Sequence, residues 1–138
     1  MNKIKLDINL IKYMSLFQSI TRTSVKDCID SSERIIFIVK QNQISKAIGR
    51  NGENVKMLEN ALNRKIKIVE FNPEIEQFVR NTIYPNKTKE IKKEGKIVII
   101  TPIDLHTRGM IIGKNAVNLR GYESIIKRYF DIEEIKVI

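Results

Sequence analysis

Residues 44–58 of the chain have the sequence ISKAIGRNGENVKML, which contains a Gly-x-x-Gly loop at residues 49–52. An apolar segment leads into this loop, and apolar residues recur behind it at helical spacing. The pattern predicts a short helix, a tight loop and a longer helix over residues 51–63. The two glycines lack Cβ atoms, so another backbone can come close. Arg50 lies at the tip, where the longer helix presents free N–H groups and its positive dipole end. The predicted ligand is therefore a phosphate backbone.

Apolar strands are predicted on both sides of this stretch. The continuous apolar run at residues 34–40 is typical of a central strand, and a further strand is predicted at residues 65–71. The elements predicted before the central strand are an edge strand at residues 3–6, a helix capped by Asp7 and a strand at residues 24–30. A helix with Pro73 at its first position follows the last of these strands.

The order of elements then starts again, which indicates an internal repeat. A shift of 64 residues places IGRN at residues 48–51 on IGKN at residues 112–115. The same shift aligns four further pairs, which are Asn54 with Asn118, Val55 with Leu119, Glu59 with Glu123 and Arg64 with Arg128. Two domains are predicted: residues 1–84, with the N-terminal helix and a linking helix, and residues 85–138.

The pattern Ile-Gly-Arg-Asn-Gly-x-x-Val-x-x-Leu, which begins at Ile48, resembles the signature of the KH RNA-binding module. The helix and strand that precede the core strand–helix–helix–strand order resemble the type II form of that module. Two such motifs in tandem are similar to the paired KH domains of the NusA family of transcription factors, in its short archaeal form. The resemblance implies an α+β fold of two consecutive type II KH domains, each a small three-stranded sheet packed on helices.

The resemblance also implies a function, which is binding of single-stranded RNA in transcription elongation or termination. Each KH domain would hold about four nucleotides, with the backbone on the loop and the bases in an apolar groove beside it. Carried over by position, the RNA-binding residues of the first domain are Lys46, Ile48, Gly49, Arg50, Asn51, Gly52, Asn54 and Lys56. Those of the second domain are Ile112, Gly113, Lys114, Asn115, Ala116, Asn118 and Arg120.

The second loop departs from the family pattern at one position. Ala116 stands where the second glycine belongs, and its methyl group adds bulk and disfavours left-handed backbone angles. Lys114 still supplies a positive charge there. We therefore expect weaker RNA contact at the second loop than at the first. Substituting Asp for Gly49 or Gly52 is expected to leave the fold largely intact and to abolish RNA binding.

Composition narrows the classes of function and partner. The net charge of +9 over 138 residues favours an anionic partner. Cys28 is the only cysteine and His106 the only histidine, so neither an intrachain disulfide nor a cysteine-based metal cluster is expected. Because no carboxylate cluster, Cys/His site or Walker loop is found either, we expect no enzyme activity, no cofactor and no bound metal.

The hydropathy of the chain bears on membrane association and secretion. No apolar run approaches the roughly 20 residues of a membrane span, and the start of the chain lacks the apolar core of a signal peptide. We expect a monomeric cytoplasmic protein that does not bind membranes. Single-stranded RNA is its expected partner, and RNA polymerase or a transcription complex is a further candidate.

Several alternatives remain open on the sequence. A KH factor in ribosome assembly, or an accessory RNA-binding subunit of an RNA-processing enzyme, would have the same fold. Arg64, Lys65 and Lys67 either extend the basic track or form a solvated face. The lysine-rich residues 87–96 are interpreted as an exposed edge strand protected by lysines rather than as a binding site.

Overall fold

One order of secondary structure occurs twice along the chain: helix, strand, strand, short helix, helix, strand. The computed structural model describes residues 8–31 and 33–138, so the edge strand predicted at residues 3–6 lies outside the described residues. The chain divides into a first unit, Met1–Phe71, and a second unit, Asn72–Ile138. In the first unit the elements are α1 (Ile8–Thr21), β1 (Asp27–Asp30), β2 (Arg34–Val39), α2 (Ile44–Ile48), α3 (Glu53–Leu62) and β3 (Lys65–Glu70). In the second they are α4 (Ile75–Ile83), β4 (Thr88–Glu94), β5 (Ile97–Pro102), α5 (Leu105–Ile112), α6 (Val117–Lys127) and β6 (Glu134–Val137).

Within residues 8–31 and 33–138, each unit forms a three-stranded mixed sheet. The strand orders are β1-β2-β3 and β4-β5-β6. In both sheets the first pair is antiparallel and the second is parallel, with Phe37 opposite Ile68 in the first sheet and Ile100 opposite Val137 in the second. A parallel pair requires a long crossover connection, and each unit provides it with its two consecutive helices. The predicted fold class, two consecutive type II KH domains, is confirmed.

The core of the first unit lies between its sheet and its helices. Successive strand residues point to opposite faces, so Ile35, Phe37 and Val39 of the apolar run face the helices and are fully buried. The Phe17 ring of α1 stacks on the Phe37 ring with 4.4 Å between centroids. Cys28 is a buried free thiol in this same core. The helix pair α2–α3 is thereby fixed on the sheet, and the loop between them has a defined position.

Helix α4 belongs to the second unit, and this corrects the predicted domain boundary. The sequence pattern predicts that this helix belongs to a first domain that ends at residue 84, but it packs against β4 and α6 of the second unit. Its Phe78 ring meets the Tyr129 ring edge to face at 5.6 Å and lies 5.9 Å from the Phe130 ring. The apolar face of the helix predicts burial, but it does not indicate which of two neighbouring sheets covers that face.

Candidate nucleic-acid interface

The first loop, residues 49–52, reverses the chain between α2 and α3. Gly49 has φ 82° and ψ 171°, a combination essentially confined to glycine. Asn51 and Gly52 are left-handed, with φ of 55° and 72°, and the Gly52 N–H donates to the Gly49 carbonyl oxygen at 3.1 Å. The left-handed residues interrupt the helix, so α3 begins at Glu53 rather than at residue 51, where the sequence pattern placed its start.

The second loop, residues 113–116, has almost the same backbone. Gly113 has φ 76° and ψ 173°, and Asn115 has φ 56°. Ala116 is left-handed like Gly52, and its N–H donates to the Gly113 carbonyl oxygen at 3.2 Å. At the first, third and fourth loop positions the largest difference in backbone angle is that between φ 72° at Gly52 and φ 61° at Ala116. The alanine therefore leaves the shape of the loop unchanged.

The two glycines of the first loop are needed for different reasons. A Cβ atom on Gly49 would lie 2.8 Å from Nδ2 of Asn54, which is closer than real Cβ contacts, whereas a Cβ atom on Gly52 would meet nothing within 4 Å. At Gly113 the corresponding Cβ atom would lie 2.7 Å from Nδ2 of Asn118. Our expectation that Gly49→Asp leaves the fold intact is therefore wrong for the loop itself, because the new side chain would displace Asn54. Gly52→Asp remains a suitable probe.

The cations predicted to bind RNA lie on each loop or on the helical turns beside it. All of them are exposed: Lys46, Arg50 and Lys56 in the first unit, and Lys114 and Arg120 in the second. Asn51 and Asn115 at the loop tips are exposed as well, while Ile48 and Ile112 at the ends of the preceding helices are half-buried. Because α3 and α6 begin at the loops, their positive dipole ends add to the attraction for an anion. The first N–H group of each helix, at Glu53 and Val117, donates to the Arg50 and Lys114 carbonyl oxygens.

Two exposed apolar side chains beside the second loop were missed in the sequence analysis. Met110 is 51% exposed and Val117 is 53% exposed. The 64-residue shift aligns them with Lys46 and Glu53, so a comparison of the two repeats could have found them. The second loop thus has two apolar side chains at positions where the first has a lysine and a glutamate.

The structure shows that Arg64, Lys65 and Lys67, which follow α3, do not form one continuous exposed basic track. Nη2 of Arg64 lies 2.8 Å from Oδ1 of Asp30 and donates to the Ser31 carbonyl oxygen at 2.7 Å, so this side chain joins the turn between α3 and β3 to the β1–β2 hairpin. Lys67 is half-buried, and burial together with the charge of Arg34 lowers its pKa to about 8. Arg64 is therefore hydrogen-bonded within the first unit, and Lys67 is half-buried there.

The lysine-rich segment forms β4, which is an edge strand of the second sheet, as predicted. Nζ of Lys92 lies 3.1 Å from Oε2 of Glu94, and Nζ of Lys96 lies 3.2 Å from Oδ2 of Asp131. The carboxylates Glu94 and Glu90 raise the pKa of Lys92. Charged side chains of this kind discourage pairing with another strand.

Metal-binding and membrane-spanning features were searched over residues 8–31 and 33–138. No group of three or more His, Cys, Asp or Glu side chains in that part of the chain is arranged to hold a metal ion. None of its helices combines the length and the apolar character that a bilayer crossing requires.

Comparison with known families and proteins gives matches across both units. Residues 17–74 match the family model described as the NusA-like second KH domain. The chain is 33% identical over 141 residues to the probable transcription termination protein NusA of Methanocaldococcus jannaschii, an alignment that covers 100% of this chain and 77% of the relative. It is 32% identical to the protein of the same name from Methanococcus vannielii, covering 99% of this chain and 80% of the relative.

A solved structure has the same fold over nearly the whole chain. The crystal structure of APE1850 superposes with a TM-score of 0.76 at 27% sequence identity. The superposition covers 96% of this chain and 100% of that one. The similarity therefore extends to both units.

Proposed function

Since the chain belongs to the NusA family, in its short archaeal form built of two KH domains, we propose that it binds single-stranded RNA and acts in transcription termination or elongation. It does so as a binding protein, without an enzyme activity or a cofactor of its own. RNA polymerase or a transcription complex is the protein partner that this role implies.

The geometry of the first loop is the observation that carries this proposal. Within four residues it combines an exposed arginine, a glycine with open space around it and the N-terminus of α3. A sugar-phosphate backbone presents repeated negative charges and needs a surface without protruding side chains. The loop meets both requirements, because Arg50 supplies charge and Gly52 supplies access.

The remaining residues have roles that follow from their positions. Arg50, Lys46 and Lys56 attract phosphates of the strand bound to the first unit. Ile48 and Ile112, half-buried at the loop entrances, form the floor of the groove for the bases. In the second unit Lys114 and Arg120 attract phosphates, and the left-handed Ala116 preserves the path of the loop.

Binding to labelled single-stranded RNA over a range of salt concentrations tests the proposal. We expect affinity to fall as salt rises, because lysine and arginine contacts release counterions. Arg50→Ala should weaken binding and reduce the slope of log affinity against log salt by about 1. Lys89→Ala is the matched control, because it removes the same charge from edge strand β4 and should leave binding close to that of the wild type.

Gly52→Asp tests the loop assignment directly. The new carboxylate has open space around it, so circular dichroism should remain that of the wild type, while repulsion between carboxylate and phosphate abolishes RNA binding. Wild-type affinity in both Gly52→Asp and Arg50→Ala would show that the loop is not the RNA site.

The assignment to transcription is tested separately from RNA binding. A tagged chain should co-purify with RNA polymerase after nuclease treatment of the extract. Co-purification with ribosomal particles instead would replace transcription by ribosome assembly as the process. Reproducible RNA cleavage that follows the protein peak would show that the chain, or a subunit bound to it, is an enzyme.

A further inference from the structure

Asn54 and Asn118 make the same hydrogen bond in the two units. Nδ2 of Asn54 donates to the Lys46 carbonyl oxygen at 3.2 Å, and Nδ2 of Asn118 donates to the Met110 carbonyl oxygen at 2.9 Å. In both cases the donor is the second residue of the helix after the loop, and the acceptor is the third residue from the end of the helix before it. Carbonyl groups in the last turn of a helix lack intrahelical donors, so each asparagine satisfies one of them.

Each of these side chains also packs on the first glycine of its loop. An ideal Cβ atom on Gly113 would lie 2.7 Å from both Cγ and Nδ2 of Asn118, and one on Gly49 would lie 2.9 Å from Cγ of Asn54. The amide therefore occupies the space that a side chain at the first loop position would take. It crosses the base of the loop and links the helix after the loop to the helix before it.

We propose that Asn54 and Asn118 are positioning residues that hold the two loops in their RNA-binding shape, and that they do not contact RNA. The proposal deepens the RNA-binding function and rests on it for its effect on affinity. One N–H group of each asparagine amide donates to a protein carbonyl, so that group is not directed at a phosphate. A loop that is already held in its bound shape loses less conformational entropy when the ligand arrives.

This assignment also accounts for the difference between the two glycine positions. The second unit keeps Gly113, where Asn118 packs, and has Ala116 at the position that corresponds to Gly52. Since a Cβ atom at Gly52 meets nothing within 4 Å, an alanine there costs only backbone strain. At the first position an alanine would also displace the asparagine.

A double-mutant cycle in the full chain without RNA tests the packing. Gly113→Ala and Asn118→Ala should each lower the unfolding temperature, and the double variant should lose less than the sum, because removing the amide frees space for the new methyl group. Ala116→Gly with Asn118→Ala is the control pair and should be additive. Additive losses in the test pair would overturn the proposal.

Hydrogen exchange and RNA binding separate positioning from contact. Asn54→Ala should speed exchange of the Gly52 N–H in the free protein, and it should lower RNA affinity by about 2- to 10-fold, the factor expected for one neutral hydrogen bond. Arg50→Ala should lower affinity without changing that exchange rate. If Asn54→Ala loses affinity while exchange stays at the wild-type rate, Asn54 is an RNA contact and the proposal is wrong.

These outcomes are distinct from failure of the proposed function. If the wild-type chain binds no RNA, the RNA-binding function is wrong, while the cycle and the exchange rates still report whether the asparagines hold the loops. The asparagines have no positioning role if two results are found together. Asn54→Ala would have to leave the exchange rate of the Gly52 N–H unchanged, as Arg50→Ala does, and the Gly113→Ala and Asn118→Ala losses would have to be additive, as in the control pair.

Discussion

Ala116 has left-handed backbone angles that alanine adopts only at a cost. The penalty for a residue with a Cβ atom in this region is about 1–2 kcal/mol, and the second loop bears it while retaining the backbone of the first. The helices and the short turn around the loop must therefore stabilise this conformation. The residue marks a position where stability can be gained without altering the fold.

Ala116→Gly is expected to raise the free energy of unfolding by about 0.5–1 kcal/mol, because glycine relieves the strain but adds freedom to the unfolded chain. Gly52→Ala should lower it by a similar amount, since its added methyl group has open space. Urea unfolding of the two variants measures both effects. A loss of stability in Ala116→Gly would contradict the conclusion that the backbone of Ala116 is strained.

Lys67 titrates at a lower pH than an exposed lysine. Burial and the charge of Arg34 lower its pKa from 10.5 to about 8, so the charged form is less favourable in the folded protein than in the unfolded chain. Between these two pH values the unfolded chain binds more protons, and stability from this group therefore rises with pH. Below pH 8 the charged lysine opposes folding to its full extent.

Lys67→Met should therefore stabilise the protein at pH 7, and the gain should shrink as the pH rises from about 8 to 10.5. Urea unfolding of the wild type and the variant at several pH values gives this difference. Lys65→Met, at an exposed position on the same strand, should change stability little at any of them. A gain from Lys67→Met that does not depend on pH would show that the altered charge is not its cause.

At the level of elements, the repeated glutamates join helix to strand in each unit. Oε2 of Glu59 on α3 accepts from the Ile66 N–H of β3 at 3.2 Å, and Oε2 of Glu123 on α6 accepts from the Ile135 N–H of β6 at 2.8 Å. Both strands lie at a sheet edge, where unpaired N–H groups invite pairing with other chains. The glutamates protect those edges and fix the helices against them.

Glu123→Ala is expected to lower the free energy of unfolding by about 1–2 kcal/mol, because a half-buried N–H loses a charged acceptor. Amide exchange at Ile135 should become faster at the same time. Glu133→Ala, at an exposed position before β6, is the matched control and should leave both quantities near the wild-type values. Unchanged exchange at Ile135 would mean that the hydrogen bond does not protect the strand.

At the scale of the whole molecule, the boundary between units lies before α4. Phe78 is fully buried and its ring contacts Tyr129 and Phe130 within the second unit. In the order of elements α4 corresponds to α1, whose Phe17 has the same role in the first unit. The first described element of each unit is therefore the helix that completes the core of that unit.

This boundary predicts different behaviour for two fragments of the chain. Residues 72–138 should fold with a cooperative thermal transition, because the fragment contains α4 and its aromatic contacts. Residues 85–138, which correspond to the second domain predicted from the sequence, should lack such a transition, since the core loses Phe78. Circular dichroism during heating measures both. Equal cooperativity in the two fragments would contradict the role of α4.

Local patterns were sufficient for the order of elements, the repeat and the positions of the two loops. Hydrophobic period, glycine spacing and the 64-residue shift depend only on residues close in sequence or on comparison of the chain with itself. They correctly indicated the central strand β2, the edge strand β4 and the loop at residues 49–52. The order of these elements resembles that of the type II KH module, and this is the fold that the structure has.

Contacts between distant residues decided the rest. Helix α4 joins the second unit, Arg64 pairs with Asp30 across 34 positions, and Ala116 adopts angles that its own preference opposes. The direction of the Asn54 amide depends likewise on a carbonyl eight residues away. A turn separates the two residues, and the hydrophobic pattern of the sequence does not predict its backbone angles. Such choices are made by packing and hydrogen bonding in three dimensions, because only there do the competing partners of a side chain come within reach.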